Sequence, residues 1–455
     1  MNKLKAFLRK FSRAEILIVT TGFLIAILLV SVAFGYEKKN TQVANVKFVQ
    51  ITERIKDVDY REGSVPIDPF HTPFYVAYDF THENEAVARP QIENVLNEEL
   101  IYHHKLFDRH RSYYVDHDAL PENRLLMHNL KYVNDHIGEE VEIDYPLYFL
   151  LSEGLAYTLD TPNGAFNMFV GELYDFWQER IDFYERALRN LNVTEQSVLK
   201  LKDPSFHAES ALELEELRSY IPATPNEINS TLKLRQENGK YYAKLNKFNG
   251  GNVSLSVGAL GKGYMTDILK EKLRELNFVN GYIFGGASSL TFLSDSISAK
   301  IPIRLPSIKR TEERPYYRES SSYVFTRRDE FSISTSGTYE GYRFKDENGD
   351  FVVRSHILNP LTGYPAEERH EAISVVSNKL TGLKLDYLTT VLIVLSEEEG
   401  ISFLSEHYED KDVNVIYLGS ERPTYYAHYT KSFPGGINSD FDQISEYREK
   451  ILELL

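Results

Sequence analysis

Three glycines and a lysine crowd into the stretch Ser256-Val-Gly-Ala-Leu-Gly-Lys-Gly-Tyr-Met-Thr-Asp267, and few local patterns restrict a backbone as much. The run before it, Asn252 to Val257, alternates polar and apolar residues as a half-buried strand does. The run after it places Met265, Ile268, Leu269, Leu273 and Leu276 at helical spacing. The glycines therefore mark a strand-to-helix turn, which presents backbone N–H groups at the positive end of a helix. With Lys262 beside them, such groups suit an anion, above all phosphate. The pattern is not a Walker A loop, because only Ala259 and Leu260 separate Gly258 from Gly261, and Gly263 follows Lys262 where Ser or Thr is required. Taken alone, it fits an ordinary glycine-rich turn with a solvated lysine as well as a phosphate site.

The chain of 455 residues is long enough for a large core, as two or three domains or as one large unit. Its 51 Lys and Arg against 67 Asp and Glu give a formal charge of −16, which opposes a nucleic-acid partner. Cysteine is absent, so there is no disulfide, no lipoprotein cysteine and no thiolate metal site. At the N-terminus, Lys3, Lys5, Arg9, Lys10 and Arg13 precede Ile16 to Phe34, an uncharged run of 19 residues able to cross a bilayer as a helix. A cleaved signal peptide is the rival reading, but the run exceeds the usual h-region and no clear small-x-small cleavage site follows it. The expected plan is a basic cytoplasmic tail (1–14), a transmembrane helix (15–36), a polar linker (37–50) and an extracytoplasmic domain (51–455), held as a single-pass protein at the plasma membrane.

Along the chain, helices are expected over Ile92 to Phe107, Tyr145 to Leu159 and Leu383 to Leu395, with an amphipathic one over Asp442 to Leu455. Thr231 to Leu245 alternates on both sides of Asn238-Gly239 and predicts a hairpin with a type I′ turn. Gly281 to Gly286 reads as a strand, and Phe331 to Glu340 and Arg354 to Pro365 each read as a strand running into a turn. Ser294 to Glu330 reads as strands joined by irregular loops. The mixture is α+β.

Three further features bear on chemistry. Asp386 and Thr390 lie four apart, on one face of an otherwise apolar helix, where a carboxylate and a hydroxyl could take a hard cation such as Mg²⁺. The competing reading makes Asp386 an acidic residue of the first helical turn, favoured by the dipole. His356 sits between a strand and a Pro-Leu-Thr-Gly turn and could serve as a base or as a structural residue. Thr161 to Trp177 is a small-residue loop entering an aromatic stretch, which could wall a planar ring or fill a core.

In this order, these segments resemble the ApbE family of FAD:protein FMN transferases. The matching stations are Asn163-Gly-Ala-Phe-Asn167 with Val170-Gly171 and Trp177; Ala259, Lys262-Gly-Tyr264 and Asp267; Gly285-Gly286; Thr335 to Glu340; His356 to Gly363; and Asp386, Leu388 and Thr390. The resemblance runs over roughly Phe107 to Glu406 and implies an ApbE-like, T-fold-related, two-lobed domain. It implies Mg²⁺ held by the Ala259 carbonyl, Asp386 and Thr390, with Thr389 a neighbour, against the pyrophosphate of FAD as substrate. Lys262 would neutralise phosphate, and His356 would assist as general base while a Thr or Ser hydroxyl of an acceptor flavoprotein attacks, expelling AMP. Ala165, Phe166, Asn167, Ser256, Tyr339 and Ile357 would contact the flavin nucleotide.

The chain departs from the family at Asn167, Ser256 and Ala287, where aspartate is common, and so lacks carboxylates that would hydrogen-bond FAD or support the metal. The same residues would serve a Mg²⁺-dependent FAD pyrophosphatase, with water as acceptor, or a flavin-binding protein without turnover.

Overall fold

Nine strands form one sheet in the order they occur in the chain: β1 (Val46–Gln50), β2 (Phe74–Asp79), β3 (Gly281–Gly285), β4 (Ser289–Phe292), β5 (Ser332–Gly337), β6 (Ala372–Ser377), β7 (Asn414–Glu421), β8 (Thr424–Thr430) and β9 (Tyr447–Leu452). Neighbours are antiparallel from β1 to β8, and β9 joins β8 in parallel. The computed structural model describes residues 45–55, 68–115, 124–190, 195–286, 288–293, 303–311, 314–325, 330–338, 341–367, 369–421, 424–431, 438–439 and 447–452.

Both faces of this sheet carry a core. One face, with Val76, Tyr78, Ile283, Ile373, Val375 and Val415, packs into the main hydrophobic cluster, and the other, with Ala77, Tyr282, Leu290, Ile333 and Val376, forms a second. Residues 372–377 are accordingly buried without a polar face, as a central strand covered on both sides requires. Within Ser294 to Glu330, expected as strands joined by irregular loops, the strands are there as an antiparallel hairpin, Ile303–Thr311 with Arg314–Phe325, which reaches across to β6 and β7.

Six helices matter to the site: α1 (Glu85–Phe107), α2 (Tyr145–Asp160), α3 (Gly171–Asn190), α4 (Gly261–Glu275), α5 (Gly382–Val394) and α6 (Glu397–Tyr408). Helices α4 and α5 lie side by side on the sheet, α4 against β3 and β4 and α5 against β5 and β6, and Leu385, Leu388, Val391 and Leu392 of α5 are fully buried. Its first turn is closed by side chains: Thr381 accepts from the Lys384 N–H, and the Asp267 carboxylate accepts from the Gly382 and Leu383 N–H groups at 2.7 and 2.9 Å. The α4–α5 contact is a backbone contact. A Cβ on Gly263 would stand 2.1 Å from the Gly382 carbonyl oxygen, and a Cβ on Gly382 would stand 2.7 Å from that of Gly263.

A smaller sheet of Glu140–Ile143, Lys240–Leu245 and Leu232–Glu237 packs against α2. Its hairpin turns at Asn238 (φ 52°) and Gly239 (φ 78°), the two positive φ values of the expected type I′ turn.

Three expectations are corrected. The linker 37–50 overlaps β1, whose residues pair with β2 from Val46 to Gln50, so the folded part reaches back to Asn45. Asn252 to Val257 is extended but makes only a parallel bridge from Ser254 to Val170. Its alternation persists, with Val253, Leu255 and Val257 buried, because the segment is covered by a loop rather than by another strand. The C-terminal helix is instead β9 over Tyr447–Leu452: a segment this short fits either period, and the open edge of β8 supplies a ladder. The expected tail, membrane helix and first part of the linker lie outside the described residues, among which no helix is long and apolar enough to cross a membrane.

Gly263→Ala should therefore lower unfolding stability by about 2–3 kcal/mol or more, because backbone rather than a movable side chain blocks the methyl. Urea denaturation reads the effect; a variant as stable as the parent would contradict the crossing geometry.

Candidate active site

The N-terminal turn of α4 and the second turn of α5 meet at Asp386. Its Oδ2 accepts from the Gly263 N–H at 2.5 Å, and its Oδ1 accepts from the hydroxyls of Ser289 on β4 (2.8 Å) and Ser334 on β5. Burial pushes the carboxyl of Asp386 up, although the nearby Lys262 charge and these three donors pull the other way. Asp386 is thus a buried residue well inside α5, not the first-turn, dipole-stabilising acid that spacing allowed. Four positions away, the Thr390 hydroxyl donates to the Asp386 carbonyl at 3.0 Å, which leaves its lone pairs facing outward.

These groups open onto a cleft of about 550 Å³. Ser256, Ala259, Lys262, Asp386 and Thr390 line one side, and Ala165, Phe166, Asn167, His356 and Ile357 line another. Ten of the expected site residues, from segments as far apart as 165 and 390, therefore share one cavity. Thr389 does not line it. Its hydroxyl is fully buried behind the cleft, accepting from Ser336 at 2.9 Å and donating to the Asp386 carbonyl at 3.0 Å, so it braces the helix. Tyr339 and Ala287 lie outside the described residues.

The loop 161–167 is fixed from behind. Phe166 meets the Tyr387 ring edge-on at 5.3 Å, and Tyr387 stacks on Tyr157 at 4.2 Å. Asn167 uses both ends of its amide: Nδ2 donates to the Pro222 carbonyl at 2.9 Å, and Oδ1 accepts from the Phe169 N–H at 2.9 Å. An aspartate could not donate to Pro222, which gives this departure from the family pattern a local structural cause. Ser256 Oγ accepts from the Gly258 N–H at 3.4 Å, within the turn it opens. Trp177 does not line this cleft: it is buried, and its Nε1–H donates to the Gly363 carbonyl at 2.7 Å, holding the loop that follows His356.

Sequence reasoning missed a third side of the cleft. Phe70, His71 and Thr72 line it, together with His104, Phe107, Asp108, Arg109 and His110 at the end of α1. Phe70 and His71 both have left-handed backbone (φ 55° and 53°), a costly conformation for side-chain-bearing residues. The Phe70 N–H donates to His104 Nδ1 at 2.8 Å, and burial depresses His104 to about 4. Arg109 forks onto both carboxylate oxygens of Asp175 on α3 and also reaches Ser254 Oγ at 3.0 Å. The helix expected over Ile92 to Phe107 includes His104 and Phe107, but no residue type or spacing ties that helix end, or Phe70 to Thr72, to the other segments of the cleft.

In this α+β protein a buried carboxylate, a neighbouring lysine, a backbone turn and a hydroxyl all open to one cleft, a set of groups whose chemistry suits an anion and a hard cation. The chain belongs to the ApbE family, whose model matches residues 122–416. It is 26% identical over 170 residues to the FAD:protein FMN transferase of Klebsiella pneumoniae (strain 342), covering 37% of this chain and 47% of that protein. With the FAD:protein FMN transferase of Treponema pallidum (strain Nichols) it shares 25% identity over 278 residues, or 58% and 64% of the two lengths. These matches thus span about half to under two thirds of the relatives' length. The flavin transferase ApbE from Vibrio cholerae has the same fold, with a TM-score of 0.54 over 85% of this chain and 98% of that one at 17% identity. The wall built from Phe70 to His110 precedes the residues that the family model matches.

Asn167→Asp should destabilise the protein by about 1–3 kcal/mol despite bringing the residue closer to the family pattern, because it leaves the buried Pro222 carbonyl facing a carboxylate. Calorimetry checks this, and an unchanged or higher melting temperature would refute it. Burial also depresses His103, His104 and His370 to about 4, while it pushes Asp267 up to about 6. Depressed histidines take up protons more readily when unfolded, so their contribution is lost as pH falls from 6.5 toward 4. Asp267 acts with the opposite sign, its contribution being lost as pH rises through about 6, and the three histidines outweigh it. The unfolding free energy from urea denaturation should therefore drop between pH 6.5 and 4, by on the order of 3 kcal/mol or more. A flat or rising profile would contradict these burial assignments.

Proposed function

We propose that this protein transfers FMN from FAD to a serine or threonine hydroxyl of an exported flavoprotein, releasing AMP. The observation that carries the reading is the convergence of Asp386, Lys262, Ala259 and Thr390 at one end of a cleft whose other walls hold Phe166, Ile357 and His356. Curated relatives bear the name of this reaction.

The donor set suits Mg²⁺. It offers one carboxylate, a backbone carbonyl and a hydroxyl, and among the described residues no three His, Asp or Glu side chains converge as a metal cage. A cation that keeps several waters and takes phosphate oxygens needs no more protein ligands than this. Asp386, the Ala259 carbonyl and Thr390 would hold it, and when bound it supplies charge neutralisation at the pyrophosphate.

The chain's own residues do the rest. The positive end of α4 and the Lys262 amine bind the negative pyrophosphate and favour charge developing on the bridging oxygen. His356, at the cleft wall, receives the proton of the acceptor hydroxyl. That oxygen bonds to the FMN-side phosphorus, the phosphorus–oxygen bond to the AMP half breaks, and AMP leaves with the electron pair. Phe166 and Ile357 cover apolar ligand surface and exclude water, which favours the protein hydroxyl over hydrolysis. We further infer that Ile16 to Phe34 anchors the protein in the plasma membrane, with Lys3 to Arg13 inside and the cleft outside, where an exported acceptor would meet it.

The test incubates the detergent-solubilised full chain with FAD, Mg²⁺ and an exported flavoprotein, and follows intact mass. An adduct of FMN mass on the acceptor is expected; free FMN and AMP with no adduct would replace the transferase with a pyrophosphatase. Asp386→Ala should reduce transfer by about 10²–10³-fold or more, and chelation should reproduce the loss. Transfer surviving both would remove the metal from the scheme.

A further inference from the structure

Behind His356, away from the cleft, lies a buried charged pair that the proposed reaction does not use. Asp203 is fully buried, and its Oδ2 accepts from Arg354 Nε at 3.2 Å and from the Tyr342 hydroxyl at 2.6 Å, while Oδ1 accepts from the Ser205 N–H at 2.9 Å. Arg354 Nη2 donates to Ser205 Oγ at 2.9 Å. The guanidinium carbon stands 5.0 Å from the Tyr364 ring centre, 5.4 Å from that of Phe344 and 5.5 Å from that of Trp177. Arg354 is thus fixed by a carboxylate, a hydroxyl and three aromatic faces, two residues before His356.

The same box also grips the far end of the loop. Tyr364 is one of its walls, and Trp177, another wall, donates its Nε1–H to the Gly363 carbonyl. Within the loop, the Asn359 N–H donates to the Tyr364 carbonyl at 2.8 Å and the Gly363 N–H to the Asn359 carbonyl at 2.9 Å. The segment from His356 to Gly363 therefore enters and leaves through one rigid assembly built on α3 and on Asp203.

We propose that the Asp203–Arg354 pair, inside its aromatic box, is the positioning device that sets His356 and Ile357 against the cleft. A buried ion pair is poor evidence for stability, since apolar residues of similar volume often replace one without loss. Its planar fork and stacked faces do fix direction, which a lysine or an apolar side chain cannot reproduce. The proposal rests on the transfer reading for its kinetic consequence alone; the geometry of the His356 loop can be read without turnover.

The test uses the full chain carrying the paired replacement Asp203→Leu with Arg354→Met, which leaves no unpaired buried charge, and separately Trp177→Phe, which keeps a ring but removes the bond to Gly363. Both should fold. In each, kcat for FMN transfer should fall, by about 10²-fold in the paired variant, with KM for FAD within about threefold of the parent. In parallel, histidine-labelled protein is followed by NMR, with the His356 signal identified through His356→Gln. That signal should shift or split in both variants, and its titration should move. If the wild type transfers no FMN, the transfer reading fails while the His356 signal still decides the positioning role. Folded variants with an unchanged His356 signal, or with the His356 signal moved but kcat within about twofold of an active parent, would overturn the proposal. Arg354→Lys, which keeps the charge but not the fork, should fail to restore the signal; full restoration would overturn it equally.

Discussion

The close crossing of α4 and α5 is the constraint on which the rest depends. Two glycines let the backbones touch, and a side chain on Gly263 would collide with a carbonyl oxygen rather than with a group that can move. The crossing brings the Gly263 N–H to Asp386 and the Asp267 carboxylate to the first N–H groups of α5. Each helix thus satisfies part of the other's polar terminus, in a region where an unpaired group would be costly. Asp386 is buried and Asp267 half-buried, and both have their ionised forms disfavoured by desolvation and supported by backbone donors. Asp267 spends this arrangement on structure, because it faces a helix end. Asp386 faces the cleft and has an open direction left for a ligand.

The cleft is a product of support at a distance. Phe166 is held by the Tyr387 and Tyr157 rings, the loop after His356 by Trp177 and Arg354, and the histidine wall by Arg109 and the unusual backbone at Phe70 and His71. Phe166 is thereby tied to α5, the helix that carries Asp386 and Thr390, and the His356 loop to α3, which carries Trp177. Asn167 shows how this layer constrains sequence. Its amide bridges Pro222 and Phe169, so the residue type there answers to the loop's own hydrogen bonds.

Much of this was legible in the residues. Asn238-Gly239 needs two positive φ values, and the hairpin carries them; the apolar run from Leu383 could only be a buried helix; and the glycines around Lys262 do open one. The resemblance to ApbE proteins also grouped residues that the cleft brings together. Less legible was anything decided by a partner rather than by a period. Val46–Gln50 looked like a polar tether because an edge strand needs only one buried residue, Val49, to be held by its ladder. Tyr447–Leu452 became a strand for the same reason. Thr389 and Thr390 are adjacent and chemically alike, yet a helical step of about 100° turns one into the core and leaves the other at the cleft.

The sequence by itself determined which segments offer groups suited to chemistry, because hydrogen-bonding groups at a glycine turn, a carboxylate on an apolar helix and a histidine beside a Pro-Gly turn are local facts of residue type and spacing. The tertiary structure alone decided which of them share a cavity and which only support it. Ser289, Ser334 and Gly263 converge on Asp386 from three elements, and Phe70 to His110 close a wall from a region with no matching motif. Such convergence comes from packing between distant parts of the chain, and no periodicity along the chain encodes it.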